Sequence, residues 1–171
     1  SIDGSRSYFL ASDIQEFEKY RYELDDAITT GRLEPAFAIF NRFQSRNRER
    51  MAYALKLLET EPDFKVDESF EFDREHAPWA ASSEELDELW RKRVKNDALS
   101  LMLADKTWAE TRDVLRKRYE RVAKRSEQIT ADDVFENFMN AFAHVFDPHS
   151  SYFSPRNSEE YRIAMSLSYE G

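Results

Sequence analysis

Four short polar signatures punctuate this chain and commit it to helices. Ser12 stands three residues before Gln15, Ser82 before Glu85, Thr107 before Glu110, and Thr130 before Asp133. At a helix start the hydroxyl accepts a first-turn backbone N–H, and the acid or amide three positions on reaches back to the cap. Each signature opens a run in which apolar residues recur every three or four positions. Only three glycines occur in 171 residues, and 35% of the chain is charged. That composition favours long helices over a turn-rich β fold.

The runs predict an all-α, multi-helix domain with one long irregular loop. Ile14, Phe17, Leu24 and Ile28 recur at helical spacing up to Gly31, as one helix or two short ones. Pro35 suits a first turn, and Phe37, Phe40, Phe43, Met51, Leu55 and Leu58 form one stripe of a helix over 34–59. Leu86, Leu89, Trp90, Val94, Ala98 and Leu101 predict a helix ending near residue 104. Trp108, Thr111, Leu115, Tyr119 and Val122 predict another to about residue 125. Val134, Phe135, Phe138, Met139, Phe142, Val145 and Phe146 give a wide apolar face, expected at the centre of the core. Asp147-Pro148 ends it, because proline disfavours helix at the preceding residue.

Residues 60–82 break the helical period. Ser69-Phe70-Glu71-Phe72 alternates and is a candidate short strand. The segment is either a packed loop anchored by Phe64, Phe70, Phe72 and Trp79 or a functional surface. So many aromatics favour the packed loop.

Charge is unevenly spread over a chain of net charge −9. Residues 59–88 carry twelve acids against Lys65 and Arg74, and residues 91–125 carry twelve bases against five acids. The basic stretches Arg91-Lys92-Arg93 with Lys95, and Arg116-Lys117-Arg118, read first as solvated helix faces and second as ion-pair partners of the acidic segment. A nucleic-acid groove comes last, because no stacking aromatics are interleaved; no nucleic-acid partner is expected. No run approaches the length needed to span a bilayer, so any membrane association would be peripheral. With no cysteine there is no disulfide or thiolate metal site.

Catalytic constellations are equally scarce. His144 and His149 are five apart with Pro148 between them, which suits no helical metal pair. Asp147, His149 and Ser150 name the members of a triad, but adjacency does not build one, and they read as turn and cap residues. Glycines at 4, 31 and 171 cannot form a phosphate loop. From the residues alone no catalytic, cofactor-binding or metal site is expected.

One device occurs twice. Asp3-Gly4-Ser5-Arg6-Ser7-Tyr8-Phe9 is echoed by Asp147-Pro148-His149-Ser150-Ser151-Tyr152-Phe153, with Phe17 and Tyr161 each eight residues beyond the second aromatic. The two aromatic pairs are expected to pack near each other. The second copy continues through Ser154-Pro155-Arg156-Asn157 and leads to Met165-Ser166-Leu167-Ser168-Tyr169-Glu170-Gly171. Together these resemble the tail-specific proteases, the carboxyl-terminal processing serine peptidases. The resemblance extends to Ser7–Asp13, to Phe70-Glu71-Phe72-Asp73-Arg74 with Ala77-Pro78-Trp79, and to Glu85–Asp97, whose Leu-Trp-Arg-Lys-Arg-Val-Lys-Asn-Asp run is its most specific part.

That resemblance implies an N-terminal helical domain over 1–165, with 166–171 as the first strand of a following PDZ domain. It implies a periplasmic parent that recognises protein substrates by apolar C-termini through the PDZ domain and cuts them with a Ser/Lys dyad. The dyad would lie beyond Gly171; none of Ser150, Ser151, Ser154 or Lys124 matches the catalytic motif. A lipoprotein adaptor is a further partner it allows. Ser1 precedes a turn with no Met ahead of it, so the chain is read as a piece of a longer one. The alternative is a stand-alone helical interaction module.

Overall fold

A computed structural model describes residues 2–20, 23 and 33–146. Among them the chain is all-α: α1 is Ala11–Glu18, α2 Glu34–Leu57, α3 Ser83–Leu103, α4 Trp108–Glu127 and α5 Ala131–Phe146. The expected break at Gly31, the Tyr152-Phe153 pair and the expected strand at 166–171 lie outside the described residues.

Helix α2 is the axis, packing against α3, α4 and α5. Phe43, Met51, Ala54 and Leu58 bury its inner face against Trp90, Val94 and Ala98 of α3 and Leu115 and Tyr119 of α4. Burial of each large side chain contributes roughly 1.5–3 kcal/mol. Of the stripe expected on α2, Phe37, Phe40 and Leu55 are only half-buried. The expectation that α5 is central rests mainly on Phe138, Phe142, Val145 and Phe146, whose side chains lie outside the described residues. Within the described part Val134 is buried, while Phe135 is 42% exposed.

The caps explain the helix starts. Thr107 Oγ1 accepts the Glu110 N–H, whose carboxylate accepts the Thr107 N–H in turn, and Thr130 with Asp133 repeats the exchange. Ser82 Oγ accepts the Glu85 N–H, but the Glu85 carboxylate takes the N–H of Ala81 instead. The signature at Ser12 is displaced. Helix α1 begins at Ala11, and Asp13 accepts the N–H of Leu10. Asp13 takes the role expected of Gln15 because two arginines of α2 hold it there. Arg42 lies 2.5 Å and Arg46 2.8 Å from its carboxylate oxygens.

The 59–82 connection is irregular and packs through Phe64 and Trp79. The strand expected at 69–72 does not form. The isolated parallel bridge between Leu10 and Ala80 is the β-pairing present among the described residues, so 69–72 has no neighbour to complete a ladder. Nor does Phe72 anchor the loop: it is 64% exposed and meets Phe70 edge-on at 5.3 Å.

Candidate functional site

Residues 3–9 form a built device. Asp3 is buried, and its Oδ1 accepts the Ser7 N–H at 3.0 Å. Its Oδ2 accepts the N–H groups of Tyr8 and Phe9 at 3.0 and 2.9 Å. Burial pushes the Asp3 carboxyl up, while the three N–H groups and the Arg93 charge pull it back. Held this way, Tyr8 meets Phe43 and Trp90, and Phe9 meets Phe17 and Phe43, with ring centroids 5.1–5.9 Å apart. The Trp90 indole N–H donates to the Ser7 carbonyl at 2.8 Å.

Two arginines staple this turn to the loop. Arg6 donates to the Ala77 carbonyl and lies over the Trp79 ring, and Arg74 donates to the Ser5 carbonyl. The sequence pattern that occurs twice is thus, in its first copy, a carboxylate cradle that plugs two aromatics into the core. Its hydrogen-bonding capacity is spent on the backbone, so it positions and does not react.

The acidic loop and the basic helix form a latch. Glu68 accepts from both Nη atoms of Arg91, at 3.0 and 2.6 Å, and from Lys95 Nζ at 2.9 Å. Arg91 and then Lys95 hold the Glu68 carboxyl down at about 2. Ion pairing therefore displaces the solvated-face reading for Arg91 and Lys95. The solvated-face reading fails altogether for Arg93, which is buried with its guanidinium 4.6 Å from the centre of the Trp90 ring. Arg116 and Lys117 turn to Asp113 of their own helix.

The residues with familiar chemistry do not converge among the described ones. His76 is exposed on the loop and Lys124 is exposed on α4. No group of three or more His, Asp or Glu there could hold a metal ion. No helix of the described residues is long and apolar enough to cross a membrane. His149, Ser150, Ser151 and Ser154 lie outside the described residues, as does the side chain of His144.

What the fold does assemble is a cleft of about 600 Å³ between α3 and α4. Arg118, Arg121 and Arg125 line it from α4 and Arg93 from α3, over Met51, Leu101 and Val122, with Phe72 also in its lining. Asp97 is the acid lining it, and accepts the Tyr119 hydroxyl at 2.7 Å. Burial, then the Asp97 charge, drives the Tyr119 phenol well above its ordinary range. The sequence reading passed over this cleft. Its signal was the i, i+3, i+7 spacing of three arginines on one helix, but the opposing wall comes from residues distant in sequence.

The relations of the chain agree with its architecture. Residues 1–156 match the family described as tail specific protease N-terminal domain. The tail-specific protease of Haemophilus influenzae is 41% identical over 172 aligned positions, which take in all of this chain and 25% of that protein. The chain thus spans about a quarter of that relative's length. With a family match over most of its length and a relative this similar throughout, the chain belongs to the tail-specific protease family, as its N-terminal domain.

Proposed function

We propose that this chain is the non-catalytic scaffold and docking domain of a periplasmic serine endopeptidase that takes proteins by apolar C-terminal tails. The family match over residues 1–156 carries this reading. A PDZ domain beginning near residue 166 would capture the tail by strand addition and by holding its carboxylate in a backbone nest. A Ser/Lys dyad beyond residue 171 would cut the substrate. The helical domain would supply a rigid body beside these parts. Its long loop is latched down by Glu68, and its first turn is plugged into the core through Tyr8 and Phe9.

The test uses the full-length protein and a peptide ending in an apolar residue, offered with a free carboxylate and as the amide. Cleavage of the free acid with markedly slower cleavage of the amide is expected. Equal rates on the two would overturn tail recognition, and no cleavage of either would overturn the peptidase assignment.

A further inference from the structure

The cleft between α3 and α4 has a composition at odds with the rest of the chain. Among the described residues Arg118, Arg121 and Arg125 of α4 line it with Asp97 as the acid, in a protein of net charge −9. Asp97 is engaged by Tyr119, and Arg118 and Arg125 make no ion pair among the described residues. Guanidinium groups present planar donor forks that match carboxylates in paired hydrogen bonds. Beneath them the floor is apolar, and at 64% exposed Phe72 offers a large ring to solvent. The volume of about 600 Å³ lies in the range of roughly 300–1,000 Å³ usual for pockets that enclose a ligand.

Spacing narrows the occupant. Arg118 and Arg125 are two turns apart on α4, so about 10 Å separates them along the helix axis. On a polyproline II stretch, an extended form with three residues per turn, two carboxylates three residues apart lie on one face about 9 Å from each other. The side chains between them would reach the Met51, Leu101 and Val122 floor and the Phe72 ring.

We propose that this cleft is a docking site for an extended acidic peptide segment of the form Glu-x-x-Glu with apolar residues between the two acids. The site is separate from any capture of a chain terminus, because it uses side-chain carboxylates.

The experiment measures fluorescence anisotropy of a labelled Ser-Glu-Leu-Phe-Glu-Ser peptide, blocked at both ends, against the full-length protein. Blocking the ends removes the terminal carboxylate, so the result does not depend on tail recognition or cleavage. The peptide with both acids replaced by Gln is expected to bind at least about tenfold more weakly, as loss of charge-assisted hydrogen bonds implies. The paired variant Arg118→Gln with Arg125→Gln should weaken binding of the acidic peptide by a similar factor, with the paired Lys variants between it and the wild type. Phe72→Ala should weaken both peptides. Arg116→Gln, whose arginine pairs with Asp113, should leave binding unchanged. Equal binding of the acidic and Gln peptides overturns the proposal. So does binding indifferent to the paired Gln variant, or displacement of the peptide by inorganic phosphate at matching concentration. Retained circular dichroism in each variant separates loss of binding from loss of fold.

Discussion

Replacing Asp3 by alanine should destabilise the domain by about 3 kcal/mol. The wild-type carboxylate is 1% exposed and accepts three backbone N–H groups, from Ser7, Tyr8 and Phe9. Each buried donor left without an acceptor costs about 1–3 kcal/mol. The full sum is not expected, for two reasons. Water can enter the space vacated by the carboxylate and satisfy part of the loss. Removing the acid also relieves the burial that pushes its pKa up. Asp3→Asn keeps the shape and one acceptor oxygen but turns an NH2 group toward an N–H donor, so about half the alanine effect is expected. Urea unfolding followed by tryptophan fluorescence measures both, since Trp90 is bonded to Ser7 inside the affected turn. A loss under about 1 kcal/mol for alanine would put the change among ordinary surface substitutions and refute the cradle. So would an asparagine variant less stable than the alanine one.

The Glu68 latch predicts an acid dependence. Its folded pKa of about 2 lies below the ordinary 4.5, so its stabilisation is present above about pH 4.5 and is lost as pH falls toward 2. An NMR titration of the Glu68 carboxyl should show a midpoint near 2; a midpoint near 4.5 would remove the latch. Asp105 ends α3 in the left-handed region with φ 66°, and the Lys106 N–H reaches back to the Leu101 carbonyl. This is the helix terminator that glycine usually fills, so Asp105→Gly should raise stability by about 0.5–1 kcal/mol; a loss on thermal unfolding would contradict that reading. Phe72→Ala should change stability by less than about 0.5 kcal/mol, and a loss above about 2 kcal/mol would restore it as a loop anchor.

The sequence was most legible where the physics is local. Hydroxyl-and-acid signatures located the starts of α3, α4 and α5, because a cap is made within four residues. The long α2 was readable from Pro35 and its apolar stripe. The reading failed where partners come from elsewhere. Helix α1 starts at Ala11 rather than after Ser12, because Arg42 and Arg46 fix Asp13. Arg93 reads as a solvated charge in a helical run but is buried with its guanidinium over the Trp90 ring. The alternation at 69–72 mimicked a strand, yet a strand needs a neighbour, and Glu68 instead turns to α3. The arginine cleft escaped notice for the same reason: its two walls lie about twenty residues apart, and neither is distinctive alone.

Under the proposed function, this chain would support proteolysis without performing it. The most direct test sets the full-length protein beside the 171-residue chain on one peptide ending in a free apolar carboxylate. The near-UV signal of the buried Trp90 would confirm that the shorter chain is folded. Hydrolysis by the full-length protein alone is the predicted result. Hydrolysis by the 171-residue chain itself would contradict the account and return attention to His149 and Ser150.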